Sequence, residues 1–250
     1  DRDQPDRVLI EMNANDPMLF DVYEADLETG ELTLVESNPG FVLGWIPDED
    51  MDVRVAYAMD GEGGQMLMSK DPGGSWIPFL SWGAEEMVYP VRMTKDGSGI
   101  YLNSTLGSNT SRLVRYDLAS GGETVLASDP LCDAGGVFFD EETVTPRAVT
   151  FTYLRRRVEI LDPGLQADFD FLSTVAGGDF FVASSDRAED LWIVGYYSPS
   201  IPVSYYIYDR AAGTAGLLFS AIPALEDYEL AGVRPLLIPA RDGLLVNHHS

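Results

Sequence analysis

Histidine does not occur before His248, and cysteine occurs once, at Cys132. The first absence rules out a Ser-His-Asp or Cys-His arrangement built from residues 1–247, because no imidazole is present there to act as the base. A zinc site built on His248 and His249 would find no partner histidine elsewhere in the chain. The single cysteine excludes an internal disulfide framework. In Pro130-Leu-Cys-Asp-Ala134 it reads as a filler of a small apolar gap rather than a nucleophile. Basic residues are also scarce, 16 against 41 acidic ones, for a net charge of −25. Too few cations remain to displace the counterions of a nucleic acid or to hold an anionic membrane surface. No run approaches the roughly 20 apolar residues that span a bilayer. Gly-x-Ser-x-Gly, His-Glu-x-x-His and the phosphate-binding loop are all missing. The chain opens Asp-Arg-Asp-Gln-Pro, with no methionine and no signal-like segment, and reads as a processed or excised piece of a soluble protein, cytoplasmic or periplasmic.

What is present is a repeat. Tyr205-Tyr-Ile-Tyr-Asp-Arg-Ala-Ala-Gly-Thr-Ala-Gly-Leu-Leu-Phe219 reads as two strands joined at a tight turn. Aromatic and β-branched residues lead to Asp209, and Gly213 permits the reversal. Val22 to Val35, turning at Asp26 and Gly30, and Leu113 to Leu126, turning at Asp117 and Gly121, have the same layout. With Asp71-Pro72-Gly73 and Asp162-Pro163-Gly164 between them, turn signals fall at 26, 71, 117, 162 and 209, a period of 45 to 47 residues. A second register agrees: Val53–Tyr57, Ile100–Asn103, Ala148–Phe151 and Trp192–Gly195 are short strand candidates ahead of each turn. A strand-rich unit recurring at this spacing predicts an all-β fold, a β-propeller of four-stranded antiparallel blades. Five units are visible; the family resemblance set out below implies a ring of seven or eight blades, of which these would be a fragment, so exposed blade edges and self-association through them are expected.

Two local features modify the repeat. Ser69-Lys-Asp-Pro-Gly-Gly-Ser-Trp76 fits Ser-x-Asp-x-Gly-x-Ser/Thr-Trp and resembles the Asp-box turn of sialidase-like propellers, a fold-stabilising hairpin without catalytic weight. In the fourth unit the outer strand gives way to Leu165-Gln-Ala-Asp-Phe-Asp-Phe-Leu172. Leu165, Phe169 and Leu172 share one helical face there, and Asp162-Pro163 stands where a cap and first turn belong, so a short helix is predicted. Val233 to Val246 forms a last pair of short strands outside the blade pattern.

Candidate chemistry is thin. Glu85-Glu86 and Glu141-Glu142 are neighbouring carboxylates, but general acid–base work needs two acids at a fixed separation across one pocket, which adjacency does not supply. Arg155-Arg156-Arg157 is the main concentration of positive charge. In a strand Arg155 and Arg157 would share one side and Arg156 the other. Surface salt bridging is the simpler reading, contact with a carboxylate of another domain or a peptide the sharper one. Tyr196, Tyr197, Tyr205, Tyr206 and Tyr208 could form a sugar or peptide platform, although alternation favours packing for some and solvent for others.

The chain also resembles the β-propeller part of serine peptidases of the prolyl oligopeptidase (S9) family, in particular the bacterial acylaminoacyl- and dipeptidyl-peptidase-like branch. The resemblance is carried by Ala148-Val-Thr-Phe-Thr-Tyr153 through Leu161-Asp162-Pro163, Trp192 to Tyr197, Tyr205 to Arg210, Leu218-Phe219-Ser220, Pro223-Ala-Leu225 and Arg234-Pro235. Ile238-Pro-Ala-Arg-Asp-Gly-Leu244 is similar to the junction at which such enzymes leave the propeller. The resemblance implies a propeller over residues 1–232 and a junction over 233–250 toward a C-terminal α/β-hydrolase domain. It implies that the propeller caps the active site and admits short peptides, while the catalytic Ser, Asp and His belong to the hydrolase domain. It assigns no catalytic residue, cofactor or metal to this chain. The competing reading is a stand-alone propeller for binding or scaffolding, with carbohydrate as one class of ligand.

Overall fold

Each tight turn of the repeat is closed by a carboxylate. Asp26 Oδ1 accepts the backbone N–H groups of Glu28 and Thr29, Asp71 Oδ1 those of Gly73 and Ser75, Asp117 Oδ1 that of Ser120, Asp162 Oδ1 that of Gly164, and Asp209 Oδ1 that of Ala212. The side chain therefore satisfies donors that the reversal leaves without a ladder partner. Gly30, Gly74, Gly121 and Gly213 take positive φ in these turns, the region open to a residue without Cβ.

Between the turns the chain runs as strands. The computed structural model describes residues 4–243 and 245–249, with side chains as far as Leu245. β1 (Arg7–Asp16), β2 (Leu19–Asp26) and β3 (Leu32–Glu36) form a three-stranded sheet. β4 (Val42–Pro47), β5 (Val53–Met59), β6 (Gln65–Lys70) and β7 (Trp76–Trp82) form a four-stranded one, as do β8 (Val88–Met93), β9 (Gly99–Ser104), β10 (Arg112–Asp117) and β11 (Glu123–Ala127). β12 (Ala134–Asp140), β13 (Thr145–Thr152) and β14 (Arg156–Ile160) make a sheet of three, followed by a 3-10 turn at Pro163–Leu165 and helix α1 (Gln166–Leu172). β15 (Asp179–Ser185), β16 (Leu191–Ser198), β17 (Ile201–Asp209) and β18 (Thr214–Ser220) complete the last large sheet, and β19 (Pro235–Pro239) pairs with β20 (Leu245–His249). Within every sheet the strands follow in sequence order and pair antiparallel. This is the succession of sheet modules that the period predicts. The second-register segments all become second strands of their sheets: β5, β9, β13 and β16.

The chain divides into two compact units, residues 1–134 with 141–145, and residues 135–140 with 146–250. In the first, the sheet β4–β7 is buried on both faces. Val55 and Leu67 join Val88, Met93, Ile100 and Leu102 in one cluster, while Ala56, Ala58 and Met68 join Val22, Val42 and Trp45 in another. Period-two alternation along β5 sends successive side chains into different cores. In the second unit Trp192 is fully buried; its ring lies 5.6 Å from Phe138, 5.8 Å from Tyr208 and 6.5 Å from Phe169.

Helix α1 stands where the fourth sheet has no outer strand. Leu165 and Leu172 are fully buried with Trp192 and Val194, as their shared helical face, seven positions apart, anticipates. Asp162 caps the preceding 3-10 turn rather than the helix itself, whose own cap position, Leu165, offers no side-chain acceptor. The helix is seven residues long, too short to persist by propensity. Its apolar face holds it in place.

Gly135 and Gly136 both lie inside β12. A Cβ on Gly135 would stand 2.7 Å from Thr150 Oγ1, so glycine is present for close approach rather than for reversal. The first sheet holds three strands rather than four. His248 and His249 stand in β20, and their side chains lie outside the described residues.

The aspartate turns give the stability a defined acid limb. Asp96 accepts hydrogen bonds from the Thr94 hydroxyl, the Ser98 amide and the Ser98 hydroxyl, which hold its carboxyl down at about 2. Asp26, Asp117 and Asp162 are lowered chiefly by turn amides. A depressed carboxyl stabilises the fold above its ordinary value and loses that contribution as the pH falls through the folded value. Stability in urea should therefore decline from about pH 4 to about pH 2. Asp96→Asn should flatten that decline; an unchanged slope would contradict the assignment.

Candidate functional site

Ionic side chains collect at the strand ends, and the repeat dictates which meet. Arg147 enters β13 from a turn and Arg210 follows β17 directly. Arg147 Nε donates to Asp162 Oδ2 at 2.8 Å and its Nη1 to Glu189 Oε2 at 2.5 Å. Arg210 Nη2 donates to Asp168 Oδ2 at 2.7 Å, its Nε to Asp168 Oδ1 at 3.1 Å, and its Nη1 to the Glu189 carbonyl at 3.1 Å. The Tyr208 hydroxyl also donates to Asp168 Oδ1, at 2.8 Å. Glu189 thus sits between two guanidinium groups, with a positive φ of 56°. A strained non-glycine backbone of this kind persists only where its surroundings fix it.

The electrostatics follow. Asp168 is 8% exposed and Arg147 is 9% exposed, so neither charge would be tolerated alone. Asp168 and then its neighbours raise the Arg210 guanidinium further above its already high value. Burial, then the Asp168 carboxylate, pushes Tyr208 up to about 12. The Arg210 guanidinium also lies 4.7 Å from the Trp192 ring centroid, a cation–π contact. Every acid and base here is held by a partner, and no nucleophile is poised beside a free base. The cluster ties α1, the β15–β16 turn and the end of β17 together.

In the first unit an open cleft of about 800 Å³ is lined by Glu36, Asp52, Arg54, Lys70 and Ser98, among others. Most of its charges are engaged. Lys70 Nζ lies 2.5 Å from Glu36 Oε2, Trp76 Nε1 donates to Glu36 Oε1 at 3.1 Å, and Arg54 stands 3.8 Å from Asp48. Among the described residues no group of three or more His, Cys, Asp or Glu side chains could hold a metal ion.

The sequence candidates fall as follows. Glu85 and Glu86 are exposed in a turn where Glu86 Oε2 accepts the Gly83 amide. Glu141 pairs with Arg92 at 3.0 Å, while the Glu142 carbonyl accepts from Lys95. Glu86 thus serves its own loop and Glu141-Glu142 a neighbouring sheet, and neither pair converges on a pocket. Cys132 is half-buried. The Asp71 box is a hairpin turn, its Trp76 ring 5.4 Å from Trp45. Arg156 and Arg157 face opposite sides, as alternation requires. Arg156 is half-buried and donates to the Phe180 carbonyl, whereas exposed Arg157 stacks 4.4 Å from Phe151 and pairs with Glu159 at 3.5 Å. Arg155 is exposed in the turn before β14.

The tyrosines divide between the faces of the last sheet. Tyr196 and Tyr208 are buried, with the Tyr196 hydroxyl donating to the Leu172 carbonyl at 2.7 Å. Tyr197 and Tyr205 lie on the opposite face around Phe181, and Tyr205 stacks on Phe219 at 5.0 Å. Gly195 makes room for that Phe181 ring, which a Cβ would meet at 2.4 Å.

Sequence reasoning missed the arginine cluster. Its one available signal is spacing, since Arg147 and Glu189, and likewise Asp168 and Arg210, are 42 residues apart, close to one repeat. Asp168→Ala would take the carboxylate from the half-buried Arg210 guanidinium and the acceptor from the buried Tyr208 hydroxyl, with an expected loss of about 3 kcal/mol. Arg7→Ala, which breaks the exposed pair with Glu24, should cost about 1 kcal/mol or less. Urea midpoints of the two variants check the contrast; equal losses would show that the cluster adds nothing beyond a surface pair.

Comparison with known proteins places this architecture. No family model matches the chain. It is 35% identical over 240 residues to dipeptidyl aminopeptidase BIII of Pseudoxanthomonas mexicana, covering 95% of this chain and 35% of that protein. It is 25% identical over 236 residues to dipeptidyl peptidase family member 6 of Caenorhabditis elegans, covering 89% of this chain and 32% of that one. The chain therefore spans about a third of the length of these curated relatives. Among solved structures, a prolyl endopeptidase superposes with a TM-score of 0.58 at 15% identity, over 97% of this chain and 37% of that one. Dipeptidyl peptidase 4 of Porphyromonas gingivalis gives 0.58 at 12% identity, over 96% and 38%. These structural matches support the fold. With the sequence match to dipeptidyl aminopeptidase BIII, they show that the chain is a β-propeller segment of the prolyl oligopeptidase (S9) family.

Proposed function

We propose that the chain is the non-catalytic propeller portion of a serine oligopeptidase or exopeptidase, where it caps the active site of a C-terminal α/β-hydrolase domain and restricts entry to short peptides. One observation carries this reading: a 35% identity that runs over 95% of the chain while occupying 35% of a dipeptidyl aminopeptidase. The chemistry is consistent with it. The arginine cluster consists of groups already bound to one another, an arrangement suited to holding sheets rather than to moving protons. The stretch 233–250, with the β19–β20 pair, would lead toward the hydrolase domain.

The test compares the 250-residue chain with the parent protein that contains it. The chain alone should hydrolyse no dipeptidyl nitroanilide and take no label from a serine-directed phosphonate. The parent should do both, and should cleave a short peptide far faster than the same sequence embedded in an unfolded protein. Labelling of a serine within residues 1–250 would refute the non-catalytic role. Equal cleavage of the short and embedded sequences would refute the filter.

A further inference from the structure

The second unit contains a cavity that the arginine cluster does not use. It has a volume of about 180 Å³ and lies among the sheet β12–β14, helix α1 and strand β15, with Phe138, Phe169, Phe180, Val158, Val182 and Arg156 on its wall. The phenyl rings come from three separate elements, so no one of them can collapse inward to fill the space without leaving another contact. Phe169 is 5.3 Å from Phe180 and 6.2 Å from Phe138, and these contacts keep the walls apart.

Size and polarity narrow what could enter. An apolar cavity of roughly 150 Å³ accommodates a benzene ring, while a water molecule needs two to four polar partners to settle. Polar groups are few here. The Thr150 hydroxyl, which also lines the space, already donates to the Gly136 carbonyl at 3.2 Å. The remaining polar side chain is Arg156. Its Nη1 donates to the Phe180 carbonyl at 2.7 Å, and no carboxylate of the described residues pairs with it. Acids outnumber bases 41 to 16 in this chain, and most of its other arginines do hold a carboxylate. A half-buried guanidinium with a free edge on an apolar cavity suits an incoming carboxylate, which it can grip with two parallel N–H groups.

We propose that this cavity is a binding site for a small monocarboxylate bearing a phenyl or branched aliphatic group, with the apolar part among the phenylalanines and the carboxylate on Arg156. The proposal does not depend on the proposed peptidase role.

Phenylacetate is the probe, with phenylacetamide as its uncharged counterpart of nearly equal shape. Both are titrated into the 250-residue chain while the methyl resonances of Val137, Val158 and Val182, which line the cavity, are followed by NMR. Phenylacetate should shift these methyls saturably. Phenylacetamide should bind about tenfold more weakly or worse, the penalty for losing a charge-assisted hydrogen bond. Arg156→Gln should weaken phenylacetate by a similar factor, and Arg156→Lys should recover part of it. The comparison of acid with amide uses the unaltered chain, so it stands even if the glutamine variant folds poorly. Equal affinity for acid and amide would overturn the proposal, as would the absence of saturable shifts at the three valines.

Discussion

An antiparallel sheet of three or four short strands has two faces and cannot bury either by itself. Everything else in this chain depends on meeting that constraint. The residues with no exposure at all concentrate in the middle strands: Val55 and Ala56 in β5, Ile100 and Leu102 in β9, Val149 and Phe151 in β13, Trp192 and Val194 in β16. Burying one such side chain contributes about 1.5–3 kcal/mol, against about 1 kcal/mol or less for an exposed ion pair. Apolar contact between sheet faces therefore dominates, and the ionic clusters at the strand ends set orientation more than they supply stability. Where an outer strand is missing, after β14, the same demand is met by α1 and the 3-10 turn before it, whose buried Leu172 and Leu165 cover the aromatic cluster around Trp192.

The acidity of the chain fits the same scheme. A net charge of −25 would oppose compaction if the carboxylates stood free and close together. Many do not stand free. Those at Asp26, Asp48, Asp60, Asp71, Asp96 and Asp117 accept backbone amides of their own turns. Others are spent on arginines about one repeat away, as in Glu49–Arg92–Glu141 and in Asp168–Arg210. Turn formation and sheet alignment are thus the main uses to which this acidity is put.

How much of this was legible depended on whether the determinant was local. The turns at Asp26, Asp117 and Asp209 could be read because an aspartate, a glycine and flanking β-branched residues act within a few positions of one another. Helix α1 could be read because Leu165, Phe169 and Leu172 share a face at helical spacing. β12 was not, because its Gly135 answers to the close approach of Thr150 on the neighbouring strand, which is not a local signal. The arginine cluster was hidden for a similar reason. It exists because the left-handed Glu189 offers its carboxylate to Arg147, 42 positions before it, and its backbone carbonyl to Arg210, 21 after it, and no window of sequence displays that. The cavity beside Arg156 depends on three elements failing to close, which is a property of packing alone.

If sheet faces rather than turns or ion pairs hold the chain, its amides should differ in protection strand by strand. Native-state hydrogen exchange measures this directly. The amides of β5, β9, β13 and β16 should exchange slowest, those of the outer strands β3, β11 and β18 faster, and the β19–β20 pair fastest. Uniform protection across all strands, or slowest exchange in the outer ones, would contradict the account.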